Sequence, residues 1–214
     1  MKITEAARLR RHLYRLSFSE GEPVEVDVRT FDESPYRVGD DITADALEAL
    51  LSRSQYDRAY DRALYLLGLR DYACHEMEKK LLTEASPEVA AQVVERLCQL
   101  GLLNDERYAA NAARSMSRYK QYPRRRIEQE LRRRGVDTQT AQTAADEVET
   151  EDFELALALI EKKYYNKMND PDSRQRVAAA LARRGFSYGA VRQAMTRFLA
   201  GQDTDSEEFE DTWQ

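Results

Sequence analysis

The sequence predicts a mainly α-helical protein: three tandem three-helix repeats in an elongated, curved array, behind a small N-terminal segment that contains a β-hairpin. Three observations carry this. Glycine and proline together make up 13 of 214 residues, about half their usual share, so little interrupts helix. The period-2 alternation of apolar residues ends near residue 55, and from Tyr56 onward the spacing is helical. A pattern of apolar pairs then recurs every 50 residues, the mark of a repeat architecture.

In residues 1–55, Tyr14, Leu16 and Phe18 alternate with polar residues, Glu20-Gly21-Glu22-Pro23 supplies turn chemistry, and Val24, Val26 and Val28 alternate again. This predicts a hairpin or small sheet. Leu47, Leu50 and Leu51 follow Thr43 or Asp45 as a capping residue, so a short helix leads out of the segment. An isolated hairpin is marginal in water and has to lean on such a helix.

The repeats occupy 56–103, 104–150 and 151–200. Met77 and Leu81, Ile127 and Leu131, and Val177 and Leu181 occupy equivalent i, i+4 positions. Gly135 and Gly185 follow the helix in the second and third copies, where a left-handed residue ends it without steric cost, and Ala85 holds the place in the first. Ser86, Asp137 and Ser187 then cap the next helix. That helix presents Ala90, Val93, Val94 and Leu97, then Ala141, Ala144, Ala145 and Val148, then Val191, Ala194, Met195 and Phe198. An upstream helix carries Ala63, Leu64 and Leu67, then Tyr108, Ala109 and Ala112, then Leu155, Ala156 and Leu159. Pro123 and Asn169-Asp170-Pro171 break the chain between first and second helices. Tandem arrays bury their apolar faces between neighbours and present a long surface, which suits binding better than catalysis.

Function classes narrow quickly. No run approaches the roughly 18 apolar residues of a membrane span, and Met1 to Leu13 carries charges where a signal peptide is apolar. A cytoplasmic, monomeric protein is expected. Two cysteines, Cys74 and Cys98, and two histidines are too few for the common zinc patterns, and each cysteine reads as a small buried hydrophobe. No dinucleotide or phosphate-loop motif and no nucleophile motif occurs. No enzyme activity and no cofactor is expected.

The net charge of −6 is unevenly placed. Arg114 to Arg134 holds nine Lys or Arg against two Glu, a local balance of +7. Gln202 to Gln214 holds six Asp or Glu and no base, with Phe209 and Trp213 among them; 201–214 reads as a disordered acidic tail. In the basic stretch, Arg118, Lys120, Tyr122, Arg124, Arg125 and Arg126 precede Arg132, Arg133 and Arg134. With Ile127 and Leu131 marking the seam, Arg125, Arg126, Arg132 and Arg133 fall well away from it, and Arg124 and Arg134 flank it. Such a cluster pairs with phosphate or carboxylate, and Tyr119 and Tyr122 suit stacking on the bases of a single strand. The plainer alternative is a solvated face partnered by Glu128 and Glu130. Arg183 and Arg184 stand in the third copy where Arg133 and Arg134 stand in the second, and Lys79 and Lys80 extend a weaker stripe across the first.

Arg70-Asp71-Tyr72 with Glu76-Met77 and Lys79-Lys80-Leu81, then Gly101-Leu102-Leu103-Asn104-Asp105-Glu106-Arg107-Tyr108, then Pro123 with Ile127-Glu128-Gln129-Glu130-Leu131 and Arg134-Gly135-Val136, resemble the RecX family of RecA regulators. The resemblance runs from about Tyr56 to Leu199. It departs at Ala73, Asn104 and Tyr122, where the family commonly has serine, aspartate and glycine. It implies a non-enzymatic modulator of DNA repair, recombination and the SOS response. Such a protein lies in the groove of the RecA filament on single-stranded DNA and inhibits filament extension, strand exchange, ATP hydrolysis and co-protease activity. The implied partners are the RecA filament and DNA, single-stranded first and duplex second, with no membrane. The alternatives from the residues themselves are a DNA-binding protein that competes for strands and a helical adaptor for some other protein.

Overall fold

The computed structural model describes residues 1–10, 12–148 and 151–210, the last nine of these, 202–210, by backbone alone. Strands β1 (Ile3–Arg10), β2 (Leu13–Phe18) and β3 (Val24–Asp27) form an antiparallel sheet in that order. Leu16 pairs with Ala6 on one side and with Val24 on the other. Ile3, Leu16 and Val26 are buried under Phe31, Ile42 and Leu50. The expected alternation through Val28 stops one residue early. Asp27 caps a short helix α1 (Val28–Glu33), its Oδ1 accepting from the Arg29 and Thr30 N–H groups at 2.9 and 3.3 Å.

Helix α2 runs unbroken over Ala44–Leu67, with Thr43 Oγ1 accepting from Ala46 N–H at 3.2 Å. The expected short helix and the break at residue 55 are therefore corrected: one 24-residue helix spans both, and it contains no glycine or proline to stop it. Its middle is tied to the sheet segment by polar groups. Ser54 Oγ accepts from Asp27 N–H at 2.7 Å, and the Asp57 carboxyl accepts from Thr30 Oγ1 at 2.9 Å and Arg53 Nε at 3.0 Å. All four of Asp27, Thr30, Ser54 and Asp57 are buried, and burying polar groups requires such bonds. The first compact unit is accordingly Met1–Asn104, the N-terminal sheet and the first repeat together.

Helices α3 (Cys74–Leu81) and α4 (Pro87–Gln99) complete that repeat, with Ala63, Leu66, Met77, Leu81, Val93 and Leu97 in its core. Leu64, expected in the core, is 40% exposed, and Leu66 takes its place. Cys98 is exposed and Cys74 half-buried, not buried as expected; the preceding residues Leu97 and Ala73 take the core positions.

The second unit, Asp105–Gln214, holds α5 (Asp105–Lys120), α6 (Arg124–Arg133), α7 (Thr138–Asp146), α8 (Asp152–Leu159), α9 (Pro171–Arg183) and α10 (Tyr188–Glu210). All three i, i+4 pairs are buried. Ser86, Asp137 and Ser187 cap their helices, accepting from Val89, Thr140 and Ala190 N–H groups at 3.4, 3.0 and 3.2 Å. Gly135 and Gly185 have φ of +89° and +98°. Val136 and Phe186 N–H groups reach back to the Leu131 and Leu181 carbonyls, each at 3.2 Å, a glycine-terminated helix end with its buried apolar residue following. The first copy differs. Ala85 does not adopt positive φ and instead donates to the Leu81 carbonyl at 3.0 Å, because the turn to Ser86 is one residue shorter than its counterparts.

After α8 the chain continues as a π-helical turn (Ile160–Tyr164) and a 3-10 turn (Tyr165–Lys167). Ala156, Ile160, Tyr164 and Met168 form the buried line; a step of four suits the wider π turn. Leu155 and Leu159, expected in the core, are half-buried at its edge. Helix α10 extends past residue 200 into the segment expected to be a disordered tail, where no proline occurs to stop it. The Phe209 side chain and all of Trp213 lie outside the described residues.

Candidate functional site

The link between α5 and α6 begins the site. Gln121, with φ of +51°, ends α5 and is the one non-glycine at positive φ among the described residues. Tyr122, standing where a glycine is common in the family it resembles, bears no such strain. Its ring is flanked by Lys120 Nζ and Arg126 Cζ, each 5.6 Å from the centroid, within cation–π range. Pro123 is buried and precedes the first residue of α6.

The third repeat meets this link at Gly185. A Cβ built there would lie 2.8 Å from Arg126 Cβ and 3.1 Å from Arg126 N. The turn between α9 and α10 therefore sits directly on the first turn of α6, which brings Arg183 and Arg184 alongside Arg126. Gly185→Ala is expected to cost more than about 1 kcal/mol, from the left-handed backbone and the overlap together. In chemical denaturation Gly101→Ala, also at positive φ but in open space, should cost less; an equal cost would mean that the close approach is slack.

Between these elements lies a cavity of about 510 Å³, within the range of small-molecule sites. Lys120, Arg126, Lys162, Arg183 and Arg184 line it, with Tyr122, Pro123, Leu155, Leu159 and Phe186 as apolar wall. No Asp or Glu contributes to the lining. None of the five cations has a carboxylate within ion-pair distance among the described residues. Gathered positive charge beside an apolar floor and a flanked tyrosine ring suits a ligand that carries phosphate and a flat apolar part.

The remaining basic residues separate from this group. Arg124 N–H donates to Asp152 Oδ1 at 3.1 Å and its Nη1 to Asp146 Oδ1 at 3.3 Å, tying α6 to the ends of α7 and α8. Arg132 pairs with Glu128 at 3.6 Å. Arg133 grips Glu130 with two bonds of 2.7 and 3.1 Å, and Arg134 binds the same carboxyl at 3.2 Å and Tyr108 Oη at 3.1 Å. Arg132, Arg133 and Arg134 thus make the pairs with Glu128 and Glu130 on which the plainer alternative rests. Arg118 is exposed beside Tyr119, 5.6 Å from its ring centroid. Arg125 is exposed on α6 and lines no part of the cavity. Lys79 and Lys80 belong to the first unit, exposed on the last turn of α3, where positive charge suits the helix dipole.

The bond from Arg133, then that from Arg134, holds the Glu130 carboxyl below its ordinary range. Burial works against the Arg134 charge, but the Tyr108 hydroxyl and Glu130 outweigh it and raise the guanidinium. On acidification the unfolded chain takes up this proton before the folded one does. The stabilisation from Glu130 is therefore complete above the ordinary carboxylate range and is lost as pH falls through the lower, folded value. Glu130→Gln should flatten that part of a stability-versus-pH curve; an unchanged acid limb would contradict the assignment.

Lys162 is a cavity residue that the sequence analysis does not single out. It lies on the π-helical turn after α8, and only the three-dimensional arrangement brings it to the cavity.

Three models of three-helix domains match this chain: the first RecX domain over residues 59–97, the second over 104–144 and the third over 149–195. The regulatory protein RecX of Trichlorobacter lovleyi is 36% identical over 148 residues, covering 65% of this chain and 95% of that protein. The chain belongs to the RecX family. RecX of Pelodictyon phaeoclathratiforme is 34% identical over 149 residues, covering 67% of this chain and 91% of that protein. A crystal structure of a regulatory protein RecX shares the fold with a TM-score of 0.65 at 24% identity, over 90% of this chain and 98% of that one. RecX from Lactobacillus salivarius gives 0.59 at 23%, over 67% and 96%. The Trichlorobacter and Pelodictyon relatives are named as regulatory proteins, and among the described residues no helix is long and apolar enough to cross a membrane.

Proposed function

We propose that this RecX protein is a non-enzymatic regulator of RecA that binds in the groove of the RecA filament on single-stranded DNA and restrains its recombinase, ATPase and co-protease activities. The observation that supports this is the cavity of the second unit, lined by five cations that have no carboxylate partner among the described residues, two of which, Lys120 and Arg126, flank the Tyr122 ring. Phosphates of the strand meet Arg126, Lys162 and Arg183, while a base stacks on the tyrosine. A groove in a nucleoprotein filament presents both of these groups together.

A second reading is direct competition for DNA strands, favoured by the same cavity because it needs no protein partner to attract phosphate. Adding this protein to RecA on single-stranded DNA and following ATP hydrolysis separates the two. A rate that falls, and still falls with single strand in excess, supports action on the filament. A rate restored by excess strand supports competition, and an unchanged rate contradicts both.

Tyr122→Ala is expected to weaken single-strand binding by about 1 to 3 kcal/mol, the usual worth of one stacked base. Tyr122→Phe should retain most of the affinity. Equal losses in a fluorescence-anisotropy titration would mean that the hydroxyl, and not the ring face, makes the contact.

A further inference from the structure

Cys74 opens α3, Cys98 lies in the last turn of α4, and they are the two cysteines of the chain. Their Sγ atoms stand 3.3 Å apart. Cys98 is exposed and Cys74 half-buried, so an oxidant reaches the pair from solvent. The preceding residues Ala73 and Leu97 are both fully buried, and this holds the two helix ends in place. A disulfide bond is about 2.05 Å long, so the sulfurs have to close by only a little over 1 Å.

We propose that Cys74 and Cys98 are an oxidation-sensitive pair that closes to an intramolecular disulfide between α3 and α4. With hydrogen peroxide as oxidant, the Cys98 thiolate attacks one peroxide oxygen, the O–O bond breaks, and hydroxide leaves as Cys98 becomes a sulfenic acid. The Cys74 thiolate then attacks the Cys98 sulfur, the S–O bond breaks, and the oxygen leaves as water. Two thiols are oxidised by two electrons and one peroxide is reduced to two waters. The new bond pins the end of α4 to the start of α3, next to the Leu100–Asn104 connection that leads into the second unit. This proposal stands apart from the reading of the cavity.

The test is intact mass and thiol titration of the full chain after brief exposure to dilute hydrogen peroxide. The expected result is loss of two hydrogens, disappearance of both titratable thiols, a cross-linked peptide joining the two cysteines, and full reversal by dithiothreitol. In Cys74→Ser the sulfenic acid on Cys98 should persist and label with dimedone, whereas the unaltered chain labels weakly. Gain of one or two oxygens on Cys98 with Cys74 still a thiol would overturn the proposal, as would a disulfide formed only between two molecules. The measurement on the unaltered chain decides even where the variant folds poorly.

Discussion

Alanine at Arg126, Lys162 and Arg183 together is expected to weaken binding to single-stranded DNA, and to the RecA filament formed on it, by about 100-fold, with the helical circular dichroism signal unchanged. The three side chains belong to three elements, α6, the π turn and α9, and meet in the cavity. None forms an ion pair within the described residues, so removal leaves no buried carboxylate without a partner. At a conservative worth of about 1 kcal/mol for each charge-assisted contact, the sum is about 3 kcal/mol, which is roughly the stated factor. The salt dependence should also soften, since each phosphate contact to a single strand contributes about −0.7 to the slope of log K against log salt. Three lost contacts remove about 2 from that slope. Arg124 makes a poor control, because its guanidinium is already paired with Asp146 at 3.3 Å, whereas its bond to Asp152 is made by the backbone N–H and survives the substitution.

Leu131→Ala is expected to cost about 2 to 5 kcal/mol in chemical denaturation. The side chain is fully buried, and deletion of buried methyl groups costs their transfer energy plus that of the cavity left behind. Its carbonyl also accepts from Val136 N–H at 3.2 Å to close the Gly135 turn, so loosening here reaches the end of α6. A change within experimental error would contradict the repeat alignment, because Leu81 and Leu181 occupy the same position and are equally buried.

The repeat was legible because its signals are local. An apolar pair four residues apart, a left-handed glycine and a capping side chain each act within two helical turns, and each recurs. The N-terminal region was harder to read for two physical reasons. Shifts of register between Ile3 and Glu5 and between Arg8 and Arg10 break the period of β1. Helix α2 buries Leu50, Ser54 and Asp57 near its middle and Ala59, Ala63 and Leu66 further on; the stripe changes face and includes polar residues, so one helix reads as two. In the site, the i, i+3 and i, i+4 pairing of Arg132, Arg133 and Arg134 with Glu128 and Glu130 was visible in the spacing. The meeting of Arg126 with Arg183, Arg184 and Lys162 was not, because it depends on the rotation of one repeat on the next, which the contact at Gly185 sets.

The most direct test maps where the strand touches the protein. An oligonucleotide carrying photoreactive 5-bromodeoxyuridine, bound by RecA and then by this protein, is irradiated and the attached peptides are sequenced. Attachment at Tyr122, absent from the Arg126, Lys162 and Arg183 triple alanine variant, is the predicted result. Attachment confined to the Arg132–Arg134 stretch or to the first unit would contradict the cavity as the site.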